Sequence, residues 1–372
     1  MSQTNTTGKR KIHWLNFFFL TGTLVAAAVG VPLYLWVFGW DWYQFALFVL
    51  FFILTGLSIT LGYHRLYSHH AFEAAWPIKL FTILFGAATF QGTVIEWASD
   101  HRYHHKFVDR DGDPYDVTKG FFHAHIGWLL YGENRNNADN VRDLLADPFA
   151  SWQKRYYVPL AVGMGIVLPT LLGFLYKGPV GALGGFLIPG IARIVFVQHM
   201  TFFINSLCHM VGRRPYSIHC TCRDSWVLAL VTFGEGYHNF HHAFAYDYRN
   251  GVLPWQWDPT KWAIWILHRL GLVWNLKKAR PEAILLARLH VLGETLQAKL
   301  AQWRQKAARL PVSFQNGLFQ VESTLARWKD YWSNPEKRKE LSEEILKTAV
   351  RELERADAFL RRLDRVRWAS TG

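Results

Sequence analysis

Charged residues leave four gaps in this chain. Residues 14–40, 42–63 and 156–176 contain no Asp, Glu, Lys or Arg, and 178–212 contains only Arg193. A helix needs about 20 apolar residues to cross a bilayer. The gaps predict four transmembrane helices, at about 15–38, 43–63, 156–176 and 180–207. The first connector holds Asp41 among Trp36, Trp40, Trp42 and Tyr43, an interfacial aromatic belt. Lys177-Gly178-Pro179 alone joins the third span to the fourth. Both connectors are poor in Lys and Arg, whereas 64–155 and the residues after 210 hold most of them. The positive-inside rule then puts both termini and both large regions in the cytoplasm.

Some features could be misread. Lys9-Arg10-Lys11 before an apolar run imitates a secretory signal, but the run is too long and a second follows at once. The apolar stretch 77–97 separates two His-rich segments that must share one side, so an interfacial or re-entrant helix is expected. Arg193 is expected in the outer half of its span, snorkelling toward headgroups.

From residue 283 the texture changes. Leu285, Leu289, Leu292, Leu296 and Leu300 recur at helical spacing, Pro311 breaks the run, and Ser333-Asn334-Pro335 marks another stop. A further helix is predicted over 339–368. The expected fold is an all-α integral membrane protein with four spans and a cytoplasmic helical cap. Residues 1–289 form the membrane domain and 290–372 an amphipathic helical extension.

Composition narrows the classes. At 51% hydrophobic and 19% charged the chain is not disordered, and three Cys exclude a disulfide scaffold. The net charge of +13 suits a membrane surface once the spans are recognised, and no nucleic-acid partner is expected. There is no dinucleotide-binding Gly fingerprint, phosphate loop or His-Pro-Gly-Gly haem signature.

The 17 His residues carry the chemistry. They concentrate in His64-Arg-Leu-Tyr-Ser-His69-His70, His101-Arg-Tyr-His104-His105 and His238-Asn-Phe-His241-His242. In the second and third groups the i, i+3, i+4 spacing puts three rings on one helical face, able to aim at one point. His64 and His69 are about 500° of α-helical rotation apart, so one of them is expected where the helix ends. Asn205 and His209, at i, i+4, form a fourth element. Neutral imidazole suits Zn, Cu, Fe and Ni. A tetrahedral zinc needs four ligands. Nine imidazoles imply two metals of higher coordination number, which points to iron. Carboxylates must orient such rings, and Glu96, Asp100, Asp113, Glu235 and Asp247 are the expected ones. His70, His123, His125 and His199 read as packing or hydrogen-bonding residues, and Cys220-Thr221-Cys222 as ordinary reduced thiols.

These segments resemble the three His boxes of the membrane fatty acyl desaturases, Δ9 (stearoyl-CoA-desaturase-like) branch. Asn205-Ser-Leu-Cys-His209-Met-Val-Gly-Arg-Arg-Pro-Tyr216 resembles that branch's NSxxH…RPY segment, and the similarity spans roughly 20–285. The resemblance implies two iron ions (Fe2+/Fe3+) held by His64, His69, His101, His104, His105, His209, His238, His241 and His242, with Asn205 holding a metal-bound water. It implies a kinked tunnel for the acyl chain, with Gln91, Trp97 and Trp255 or Trp257 near its mouth. The implied reaction is O2-dependent insertion of a cis double bond, at Δ9, into a fatty acyl substrate. Electrons come from a separate donor such as ferredoxin or cytochrome b5.

Three departures matter, the first two for the substrate and the third for an imidazole that would back a ligand. Gly92 stands where many relatives have Asn, and Gly132-Glu133 follow Tyr131 where acyl-CoA members carry a basic pair. Tyr115 replaces the His of an Asp-Pro-His segment. Lipid-linked and CoA-linked acyl chains thus both stay open. A His-box hydroxylase or alkane oxygenase is the rival enzyme, which the box spacings disfavour. A membrane metal transporter would place ligands near the bilayer midplane, not past helix ends. The C-terminal extension is expected to be a solvated helical cap or oligomerisation segment, or to dock an acidic electron carrier or the membrane surface.

Overall fold

The computed structural model describes residues 12–131, 139–307, 310–334, 336–337 and 341–365. Lys9-Arg10-Lys11, Gly132-Glu133, Pro335 and the ends of the predicted 339–368 helix lie outside the described residues. The chain divides into two compact units, Met1–Gly212 with Cys220–Lys278, and Arg213–His219 with Ala279–Gly372.

The first unit is built on long apolar helices. Among the described residues three helical stretches are long and apolar enough to cross a bilayer: Trp14–Phe38, Trp42–Ser68 and Pro148–Met210. Gly39, at φ +78, ends the first. Asp41 starts the second by accepting the Tyr43 and Gln44 N–H groups, as an N-cap should. The third stretch, at 63 residues, is two legs rather than one rod. Its backbone leaves helical angles at Lys177 and Gly178 (φ +57), ahead of Pro179. The legs then pack through glycine: a Cβ on Gly173 would clash with the Gly181 carbonyl, and one on Gly185 with that of Pro169.

Trp76–Ala87, at 12 residues, spans about 18 Å, too short to cross. A turn with Phe90 at φ +57 follows, then the helix Val94–Phe107. A two-residue antiparallel pair, Glu73↔Trp274 and Ala74↔Val273, ties the chain after the first His box to a late loop. Ile59, Tyr63, Ile83, Val94 and Ile264 are central to the core behind the His-bearing segments.

Arg193 does not snorkel. Its side chain is fully buried and donates to three carbonyls: Nε to Pro189 O (3.1 Å), Nη1 to Ala88 O (2.6 Å) and Nη2 to Gly165 O (2.8 Å). Helix ends and widened turns leave carbonyls without partners. Ala88 O lies at such an end, and Gly165 and Pro189 lie in π-helical segments. A guanidinium with five donors satisfies them where a headgroup would not reach.

The second unit contains the helices Pro281–Arg304, Val312–Ser333 and Glu343–Arg365. Leu289, Leu296 and Leu300 bury their side chains against Leu318, Leu325, Leu353 and Leu360. Lys299–Asp357, Arg304–Glu322 and Arg327–Glu352 pairs, each at 2.6 Å, flank this core.

Candidate metal centre

The first His box is shaped by a π-helix. Ser58–Ser68 follows an i→i+5 ladder, and His69 N–H donates to His64 O at 3.2 Å just where the helix ends. The wider turn brings together two rings that an α-helix would splay, with centroids 4.9 Å apart. The second box lies on Val94–Phe107, started by a capping box in which Thr93 and Glu96 satisfy each other's backbone N–H. The third lies on the short helix His238–Ala243. Asp224 caps it from another segment, accepting the Asn239 (2.7 Å) and Phe240 (3.0 Å) N–H groups.

Nine imidazoles converge in two groups. His64, His69, His101, His105 and His241 form one; His104, His209, His238 and His242 form the other. Within each, one nitrogen per ring lies within 4.8 Å of every other. The i, i+3, i+4 boxes do not each aim at one point, as their common faces suggested. His101 and His105 serve the first group and His104 the second, whereas His238 and His242 serve the second and His241 the first. A face fixes the side of the helix, but two points can lie on that side.

The chemistry of these nitrogens suits a cation. Nε2 atoms meet at 2.8 Å (His69–His101), 3.0 Å (His64–His241), 2.9 Å (His241–His105) and 3.1 Å (His238–His209). Each neutral ring has one donor and one acceptor, so a ring of inward lone pairs is not satisfied within itself. His104 Nε2 is buried with no hydrogen-bond partner. Burial first, then neighbouring imidazoles, pushes His69, His101, His105, His238, His241 and His242 well below the usual imidazole pKa. They are neutral at physiological pH, the metal-binding form.

Outer partners orient three rings. His64 Nδ1 meets Glu235 Oε2 at 2.9 Å, and His104 Nδ1 meets Asp113 Oδ1 at 2.8 Å. His209 Nδ1 meets Thr221 Oγ1 at 2.7 Å, behind which stands Asp109. Hydrogen bonds at Nδ1 direct the Nε2 lone pairs inward. Burial opposes ionisation of Asp109, but the hydrogen bonds from Thr221 and the nearby His209 ring (Nδ1 to Oδ1 3.8 Å) outweigh it and hold the carboxyl at about 2. Glu235 also accepts from Arg65 (Nη2, 2.8 Å) and Asn250 (2.5 Å), and Arg65 Nη2 reaches Asp258 at 3.0 Å.

Of the other expected carboxylates, Glu96 is placed differently. Glu96 spends its Oε2 on Thr93, at 3.0 Å to N and 2.9 Å to Oγ1, because it occupies the N3 position of its helix. It caps a helix and does not orient a ring. Asp247 holds Arg249 at 2.8 Å, and Asp100 lines the cavity described next. Arg65, Thr221, Asp109 and Asp258 are marked by no sequence pattern. Arg65 stands within a His box, and Thr221 between two Cys that draw attention to sulfur.

A cavity of about 550 Å³ adjoins His101, a size usual for ligand sites. Phe19, Leu20, Phe90 and Gln198 line it, as do Asp111, Pro114 and Lys119. Trp97 stacks on His101 (5.0 Å, 23°) and donates to Gln91 Oε1 (3.3 Å), while Gln91 donates to Thr201 (3.1 Å). Asn205 lines the cavity.

Trp255 and Trp257 are not among the lining residues. Asp258 gathers the N–H groups of Asn250, Gly251 and Lys261, and the loop it organises leaves Trp255 76% exposed and Trp257 against Trp262. Gly92, at φ +88, donates to Tyr157 OH (2.9 Å), and Tyr115 packs on His104 (5.2 Å). His70 pairs with Asp143 (2.7 Å), and His125 links Ser206 to His199 at 3.0 Å each.

The family model described as fatty acid desaturase matches residues 40–265. The chain is 38% identical over 302 residues to a probable acyl-CoA desaturase of Schizosaccharomyces pombe, covering 80% of this chain and 60% of that protein. It is 38% identical over 328 residues to acyl-CoA desaturase 1 of Saccharomyces cerevisiae, covering 86% and 61%. It is 37% identical over 279 residues to the sn-1 stearoyl-lipid 9-desaturase of Anabaena variabilis, covering 74% and 97%. The chain thus spans about three fifths of the length of the two yeast relatives.

Proposed function

The chain belongs to the fatty acid desaturase family, in its Δ9 branch, and from that premise we propose that it is a membrane desaturase inserting a cis double bond, at Δ9, into a saturated acyl chain. The carrying observation is the pair of imidazole groups beside a cavity that residues of two long helices, Phe19, Leu20, Thr201 and Phe202 among them, help to line. The two groups would hold one iron each, His64, His69, His101, His105 and His241 the first, His104, His209, His238 and His242 the second. Bound there, iron supplies the oxygen-dependent removal of two hydrogens from neighbouring methylenes.

The chain's own residues do the positioning. An unactivated acyl chain has no polar handle near the reacting carbons, so wall shape must choose the carbon. Trp97, fixed by His101 on one side and Gln91 on the other, sets that wall next to the first group. Thr201 anchors Gln91 in turn. Gln198 lies seven residues before Asn205, about 10 Å deeper along the helix. It donates to Thr89 O and Phe90 O, which fixes the floor. Apolar walls exclude water from the reacting segment. Asn205, which lines the cavity, would hold a metal-bound water.

The long third stretch reverses at Lys177-Gly178, so the reading keeps four crossings, with the Lys/Arg-rich sides and both His groups in the cytoplasm. Electrons would come from a separate carrier of the ferredoxin or cytochrome b5 class. Expression in a host lacking its own desaturase tests the whole reading, with new double bonds located by mass spectrometry. New cis-Δ9 16:1 or 18:1 chains are expected. The lipid class in which they first accumulate tells a lipid-linked from a CoA-linked substrate. Hydroxylated chains would favour the rival oxygenase, and unchanged lipids beside a competent donor would contradict both.

A further inference from the structure

We propose that Asp109, acting through the Thr221 hydroxyl, is a positioning residue for His209, tuning the four-histidine metal position separately from the five-histidine one. The inference rests on the metal reading above.

The contacts form a chain with one direction. His209 Nδ1–H donates to Thr221 Oγ1 (2.7 Å), and the Thr221 hydroxyl donates to Asp109 Oδ1 (2.7 Å). Thr221 N–H donates to Asp109 Oδ2 (2.6 Å), so both carboxylate oxygens are held. A hydroxyl that must donate to a carboxylate can only accept from the ring. This fixes the His209 tautomer, leaves Nε2 free for a metal and raises its basicity, as a direct carboxylate partner would.

The local backbone is shaped for this task. Asp109 adopts φ +59, in the left-handed region that Asp tolerates better than most residues. Its N–H donates to Asp113 Oδ2 at 3.0 Å, and Asp113 Oδ1 faces His104. One turn therefore presents two carboxylates to two rings of the same group. At the other group the carboxylate in contact, Glu235, is shared with Arg65. The two positions thus have unlike outer partners.

The test uses full-length protein in detergent, stripped of metal and titrated anaerobically with ferrous ion alone. Bound iron is counted per chain, and iron-57 Mössbauer spectra separate the two positions. Wild type is expected to take up two irons. Thr221→Val is expected to keep one uptake step unchanged and weaken the other about 10–100-fold, altering one spectral component. Thr221→Ser, which keeps the hydroxyl, should restore the wild-type curve. Asp109→Asn, which keeps the shape and removes the charge, should weaken the same step as Thr221→Val. The relay is overturned if Thr221→Val matches wild type, if both steps weaken equally, or if Thr221→Ser behaves like Thr221→Val. Wild type binding fewer than two irons would instead overturn the metal reading itself, so the two failures are distinct.

Discussion

The rings of His105 and His242 lie parallel, 4.1 Å apart and inclined by 8°, although each belongs to a different imidazole group. The groups are therefore neighbours in contact. Sequence neighbours divide the same way: His104 and His105 go to opposite groups, as do His241 and His242. Replacing a ring at this seam should disturb both positions. His105→Ala is expected to bring iron below one per chain and turnover down by more than about 100-fold, beyond the loss that an outer partner alone produces. Metal analysis of the purified variant checks this, and an unchanged second iron would show that the positions are independent.

Glu235 joins His64 to Arg65 inside the protein, with all three side chains almost wholly buried. Glu235→Gln leaves the Arg65 charge with less compensation. Breaking such a pair costs about 3–5 kcal/mol, so a large drop in the thermal midpoint in detergent is expected, with weaker iron retention. The pH dependence has a definite sign. Burial opposes ionisation, but His64 and Arg65 outweigh it and hold the Glu235 carboxyl below its usual range. Its contribution is therefore complete above the ordinary carboxylate pKa and lost as pH falls through the lowered one. The gap between wild type and variant should narrow in acid and persist in alkali.

Much of this was legible in the sequence, and the missing parts share a cause. Charge-free runs marked the long helices because lipid tolerates few charges. The repeated His spacings marked shared faces because helical geometry is local. Arg193 was misjudged because its partners, the carbonyls of Ala88 and Gly165, are set free by helix ends and π-turns that no residue pattern announces. Trp255 and Trp257 were misplaced because Asp258, by collecting backbone N–H groups, decides which way their loop faces. The division of the rings into two groups depends on which helices meet, and that is tertiary information.

Arg193 should matter for stability and not for metal. Arg193→Leu orphans the buried carbonyls of Ala88 and Gly165, each worth about 1–3 kcal/mol. With Pro189 O, the third acceptor, also left bare, a loss of at least about 2–6 kcal/mol is expected in detergent unfolding, with iron per folded chain unchanged. Loss of iron at full stability would show that this arginine acts on the centre.

The floor of the cavity should set chain length. Phe19 stacks on Phe90 at 5.4 Å, and both line the cavity. Phe19→Ala lengthens the space. Since one methylene in an apolar pocket is worth about 1–3 kcal/mol, the product ratio should shift about tenfold toward longer chains. Fatty acid profiling of cells expressing the variant reads this out, and an unchanged ratio would place the floor elsewhere.

The most direct test is metal analysis of the full-length protein purified under gentle detergent and fully folded. The account predicts two irons per chain. A single zinc, or a folded protein that neither carries nor takes up iron, would contradict it.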